Sequence, residues 1–261
     1  MPDDSQRYPK AESVADFARN IAEVRERIDA AAGRAGRPGA GVRLLPVSKT
    51  VPEERIRLAV EAGCRTLGEN KVQEARRKWQ NLADLDVSWS VIGHLQTNKA
   101  KDVAAFADEF QALDNLRAAE ALDRRLQAAG RSLDVFVQVN TSAEESKYGL
   151  PPDELIPFLK RLPEYGALNV RGLMTLAVFT PDTERVRTCF RLLRTLRDQA
   201  RDLDLVGPGE LSMGMSGDYE TAIEEGATVV RVGQAIFGAR PVADGRYWPG
   251  AANGGQASER N

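Results

Sequence analysis

Apolar positions along this chain switch between two spacings. Val14, Phe17, Ile21, Val24 and Ile28 recur at helical intervals and predict a helix over 14–32 that stops near Gly33. Residues 36–41, rich in glycine with one proline, read as a linker. Beyond the linker, a short apolar run followed by an amphipathic stretch repeats down the chain. The runs predict strands at 42–49, 66–70, 89–94, 109–113, 133–140, 168–176, 210–215 and 228–232. The stretches between them predict helices at 52–63, 72–82, 98–107, 116–129, 152–162, 183–203 and 218–225. Strand–helix alternation implies a parallel sheet with crossover helices. A count of eight favours a closed α/β fold, a single (β/α)8 TIM barrel, over an open doubly wound sheet. The barrel is expected over 13–241, with a flexible polar N-terminus at 1–12 and a disordered tail at 242–261 that is rich in Gly, Ala and polar residues.

A length of 261 residues suits one barrel domain. Net charge is −2, which gives no sign of nucleic-acid or membrane binding. No apolar run approaches the roughly 20 residues that span a bilayer. The first residues lack a basic region followed by an apolar one, so no secretory signal is read, and Asn140-Thr141-Ser142 is discounted as a glycosylation site. Cys64 and Cys189 fall in helical patterns, as reduced buried thiols of a cytoplasmic protein would. With one His besides, no metal site is expected.

Barrel enzymes place their chemistry where strands end. Strand one ends in Lys49, two in Asn70, three in His94, four in Asp114 and Asn115, and five in Asn140. Strand seven ends in Ser212, Met213 and Ser216, and strand eight in Arg231, Gly233 and Gln234. Side chains alternate, so Leu45, Val47 and Lys49 share a face. Only eight of the 36 basic residues are Lys. An Arg stays protonated, whereas a Lys in a dry site can lose its proton and bond to an aldehyde. A solvated strand-end lysine is the plain alternative. Two loops that carry Ser212, Gly214, Ser216 and Gly217 after strand seven, and Gly233 after strand eight, suit a phosphate; singly, each is equally a helix cap or tight turn.

An imine-forming amine opposite a phosphate cup suggests pyridoxal 5′-phosphate (PLP). Arg231 is the inward charge on strand eight. It cannot accept a proton, so it would leave the pyridine nitrogen unprotonated and disfavour most carbanion chemistry. The alternative is an Arg231 that pairs with a carboxylate. A lysine aldolase acting on a sugar phosphate, without PLP, also stays open.

The stretches LLPVSKT (44–50), GEN (68–70), IGHLQTNK (92–99), ESKYGL (145–150), GLMTLA (172–177), LSMGMSGD (211–218) and VRVGQAIFG (230–238) closely resemble the YggS/PROSC family of pyridoxal phosphate homeostasis proteins. The resemblance runs from about residue 14 to 241 and implies a barrel like the N-terminal domain of alanine racemase. It further implies PLP held as an imine on Lys49, Asn70 beside the cofactor, Met213 near the ring and Arg231 on the pyridine nitrogen. Ser212, Ser216, Gly233 and its neighbour would hold the phosphate. Gln234 departs from the family, which commonly has a small hydroxyl residue there; its N–H can still bind phosphate.

The function implied is that of a PLP carrier in vitamin B6 and amino-acid homeostasis. It would work as a monomer without catalysis of its own and pass PLP to apo-enzymes. The alternative is a PLP-dependent amino-acid racemase-like enzyme with His94 or Lys147 as second base. Against it stands the expectation that the 23 residues after Gly238 are too few for the racemase's second domain, which would supply a Tyr.

Overall fold

The computed structural model describes residues 7–144 and 147–239. Eight strands run β1 (Arg43–Pro46), β2 (Thr66–Glu69), β3 (Ser88–Val91), β4 (Glu109–Leu113), β5 (Leu133–Gln138), β6 (Leu168–Met174), β7 (Glu210–Ser212) and β8 (Val229–Val232). The helices are α1 (Val14–Arg34), α2 (Glu53–Glu61), α3 (Val72–Asn81), α4 (Ala100–Phe106), α5 (Leu116–Ala128), α6 (Leu155–Arg161), α7 (Thr183–Asp202), α8 (Tyr219–Glu224) and α9 (Gln234–Phe237). Every ladder is parallel, in the order β1-β8-β7-β6-β5-β4-β3-β2. Between β1 and β2 there is no ladder among the described residues. One bridge, Val47 with Gly68, and one bond, Ser48 N–H to the Gly68 carbonyl at 3.0 Å, close the circle. The result is the (β/α)8 barrel that the eightfold repeat predicts.

Contacts between non-neighbouring strands fix which side chains face inward. Arg43 of β1 reaches Glu109 of β4 at 2.6 Å, and Ser212 of β7 reaches Gln111 of β4 at 2.6 Å. Both contacts must cross the interior. Since Arg43 points in, alternation also turns Leu45, Val47 and then Lys49 inward. Leu45 lies in register with Arg231, so that residue shares the interior face.

α1 is a long amphipathic helix because its Phe17, Val24 and Ile28 repeat on one buried stripe. Each contributes roughly 1.5–3 kcal/mol by leaving water. Ser13 and Asp16 form a reciprocal cap at its start. The same stripe secures α9: Phe17 meets Phe237 edge-on at 5.6 Å between ring centres, and Asn20 donates to the Ile236 carbonyl. α8 is tied on both sides by charge. Glu220 holds Arg27 and Arg34, and Glu224 and Glu225 hold Arg187.

Three sequence expectations differ from the structure. First, strands end early: β1 stops at Pro46 and β7 at Ser212. Beyond those points the chain bonds to its neighbours one residue at a time, as in Val47 N–H to the Val232 carbonyl. Second, α9 is a helix where the sequence left a helix cap or a tight turn open, because a single helical turn is too short to display a period. Third, the described part of the segment expected to be loose is anchored. Tyr8 and Ala11 are buried, and Tyr8 exchanges bonds with Ser216 and Ala239. A lone aromatic in a polar stretch was the available signal. Residues 1–6 and the expected tail at 242–261 lie outside the described residues.

No helix among the described residues is long and apolar enough to cross a membrane. Cys64 and Cys189 are free and buried. Burial pushes the Cys64 thiol up from 9.0 to about 11. The unfolded thiol therefore loses its proton first, and stability must fall as pH rises across that window, by about 3 kcal/mol at most. The urea midpoint is expected to drop between pH 9.0 and 11, and to drop less in Cys64→Ala. Equal slopes would mean that the folded thiol titrates like the unfolded one.

Candidate functional site

The barrel mouth at the strand C-termini gathers the candidates. Lys49 is half-buried just beyond β1, next to Val47, which is buried. Asn70, half-buried, follows β2. Its backbone is pressed against the β3 turn: a Cβ on Gly93 would stand 2.1 Å from the Asn70 carbonyl oxygen. Only glycine fits that approach.

Arg231 is 3% exposed, and burial pushes its guanidinium down to about 10. Among the described residues no carboxylate lies within salt-bridge distance of it. It donates instead to the Ser212 hydroxyl at 2.7 Å and the Thr175 carbonyl at 2.8 Å. The carboxylate-paired alternative is thus set aside: the guanidinium's hydrogen bonds go to neutral groups, and Asp218 and Glu109 act on it only at a distance. Ser212 has one hydrogen and gives it to Gln111, so toward Arg231 it can only accept. Gln111 donates in turn to Glu109, which Arg43 holds from below. A polar column therefore threads the barrel from Arg43 to Arg231 and sets the bearing of the guanidinium. Ser212 is fully buried in that column. The structure puts it with Arg231 and not with Ser216 and Gly233, the group to which the resemblance assigns it. Met213 beside it is fully buried, its N–H on the Val229 carbonyl.

The loops after β7 and β8 meet through Ser216, whose hydroxyl accepts the Gly233 N–H at 3.2 Å. Gly214 makes the first loop possible. Its φ is +95°, and a Cβ there would stand 2.6 Å from Ala222. Asp218 caps the turn by accepting the Met215 N–H, and burial pushes its carboxyl up. Among the described residues the N–H groups of Gln234 and Ala235 have no acceptor, as at any helix start. The Gln234 side chain caps nothing.

Of the two base candidates, Lys147 is engaged, whereas the buried His94 Nδ1 has no hydrogen-bond partner among the described residues. The His94 ring stacks on Tyr148 at 3.9 Å, with Nδ1 3.7 Å from Asp114. Lys147 donates to the Ala177 carbonyl and pairs with Glu144. Sequence reading missed Gln111, Thr175 and Tyr8. Gln111, polar inside the apolar run Glu109–Leu113, was detectable as an interior polar residue.

A parallel barrel with a lysine just beyond its first strand and an arginine inside its eighth defines a class. Residues 17–241 match the family described as alanine racemase, N-terminal domain. An alanine racemase of Streptomyces lavendulae shares the fold, with a TM-score of 0.68 at 19% identity over 88% of this chain and 58% of that one. The nearer likeness is more particular. The pyridoxal phosphate homeostasis protein of Pseudomonas aeruginosa is 44% identical over 86% of this chain and 96% of its own length. The structure of PipY of Synechococcus elongatus with PLP bound is 35% identical, with a TM-score of 0.75, over 85% of this chain and all of that one. The chain belongs to the pyridoxal phosphate homeostasis protein family.

Proposed function

We propose that this protein binds PLP at the barrel mouth, covalently through Lys49, and serves vitamin B6 homeostasis as a carrier without catalysis of its own. The observation that carries the reading is Arg231, a buried guanidinium at the mouth that pairs directly with no carboxylate among the described residues and is held by neutral groups. Such a group wants an acceptor that brings no charge, and a pyridine nitrogen is one. The loop donors fit the other end of the cofactor. The Ser216 hydroxyl, which accepts the Gly233 N–H, and the N–H groups of Gln234 and Ala235 would face the phosphate. Val47 and Asn70 flank the amine, Met213 packs the wall, and Ser212 orients Arg231.

Bound PLP would supply an aldehyde to which the Lys49 amine could bond with loss of water. Arg231 would keep the proton off the ring nitrogen because it donates and cannot accept. Likeness favours the carrier: the Pseudomonas homeostasis protein is 44% identical, the racemase 19%. Lys147 is engaged at the rim with the Ala177 carbonyl and Glu144 rather than standing as a second base.

Purified protein given PLP is expected to gain near-visible absorbance, to pass PLP to an apo-enzyme, and to racemise alanine no faster than free PLP. A colourless protein that retains no PLP would refute the reading, and racemisation above the free-PLP rate would favour the enzyme alternative.

A further inference from the structure

Behind Lys49, on the outer face of β1, lies a buried cluster that none of the mouth residues explains. Lys78 on α3 is 0% exposed, an unusual position for an ammonium. Its three hydrogens are all used. They go to the Ser48 carbonyl at 2.8 Å, Glu69 at 2.8 Å and Glu74 at 2.7 Å. The Glu74 oxygen that accepts from Lys78 also accepts the Thr50 N–H at 2.8 Å. Glu69 accepts the Ser48 hydroxyl at 2.6 Å. Two ends of one ion pair therefore grip the two peptide units that flank Lys49. Lys78 takes the carbonyl before it and Glu74 takes the N–H after it.

The grip holds a conformation the chain would not choose. Thr50 sits at φ +66°, a left-handed position that is costly for a β-branched residue. Released, that residue relaxes and the direction of the Lys49 side chain changes with it. Burying Lys78 and Glu69, with Glu74 at the edge, is an expensive way to secure a strand end, and apolar side chains would hold a fold at lower cost. Glu69 even keeps one buried oxygen without a hydrogen-bond partner among the described residues.

We propose that Glu74 and Lys78, with Glu69 behind them, are positioning residues that fix the bearing of the Lys49 amine. The proposal rests on PLP bonding to Lys49. It adds that the rate of bonding is set by a clamp on α3 that touches neither cofactor nor amine.

The test uses the full chain, stripped of PLP and mixed with PLP. The bond is trapped by borohydride at timed intervals and located by peptide mass. Glu74→Ala removes the acceptor at Thr50 from a partly exposed site. Its trapping rate, measured on folded protein, is expected to fall by up to about a hundredfold, the scale on which misplacing a reacting group acts, and its thermal midpoint is expected to drop because Lys78 loses one partner. Glu74→Gln, which keeps an acceptor, is expected to recover most of the rate. The double variant Lys78→Met with Glu69→Gln, which leaves no lone buried charge, is expected to match Glu74→Ala. Wild-type trapping rates in folded Glu74→Ala, or no recovery in Glu74→Gln, would overturn the clamp and leave the carrier reading intact. Trapping on a different lysine in the unmodified chain would overturn the carrier reading and the clamp with it.

Discussion

Lys49→Ala is expected to abolish covalent retention of PLP. Borohydride treatment should leave no cofactor-bearing peptide around residue 49, and near-visible absorbance should fall to that of free PLP. Without the bond, PLP would be held by the loops and Arg231 alone. Release at least about a hundredfold faster follows from losing roughly 3 kcal/mol of attachment. Lys49→Arg is the sharper control. It keeps charge and much of the stem, yet a guanidinium does not form the bond. The fold should not suffer in either variant, since the side chain is only half-buried. Retention of the wild-type spectrum in both would place the attachment elsewhere. The seven other lysines are few enough to test singly.

Gly93→Ala is expected to have the largest effect on stability. The added methyl would stand 2.1 Å from the Asn70 carbonyl oxygen and 2.9 Å from its carbon. Both obstacles are backbone, so no side chain can swing aside. Overpacking of this kind costs about 3 kcal/mol or more, which corresponds to a drop in thermal midpoint of roughly 6–12 °C. The chain that gives way carries Asn70, so PLP uptake should weaken in whatever fraction remains folded. An unchanged midpoint would mean that the β2 and β3 turns have room to separate.

The fold was legible because the repeat is long. Eight alternations constrain the topology even where single boundaries slip, and the expected span of β4 coincides with the observed Glu109–Leu113. Slippage concentrates at strand C-termini, where apolar residues such as Val47 continue inward after the ladder has stopped. Sequence shows their apolarity but not the end of their pairing. Lys49 and Arg231 were legible as site candidates because alternation alone assigns them to the interior. Their surroundings were not. Nothing in the run Ala75-Arg76-Arg77-Lys78 says which cation is buried. Yet Val72, Ala75 and Lys78 share one buried helical stripe, and a lysine on an apolar stripe was a signal to follow. Thr175 acts through its carbonyl, which every residue has, so its part depends on where the chain passes. Ser212 shows the limit of motif reading. Its neighbours suggest a phosphate loop, whereas its hydroxyl is already turned to Gln111 and Arg231.

The missing ladder between β1 and β2 has a consequence for how the barrel opens. The other neighbouring strands are joined by main-chain rungs, which neither salt nor protons weaken much. At this one joint, beside the single Val47–Gly68 bridge, the Ser48 hydroxyl, Glu69 and Lys78 span the gap. A transient breach of the cylinder there separates charges instead of unzipping a rung, so its frequency follows ionic composition. The residue bordering that breach is the one whose amine would hold the cofactor. Loosening at the seam and loosening of the tether become a single event.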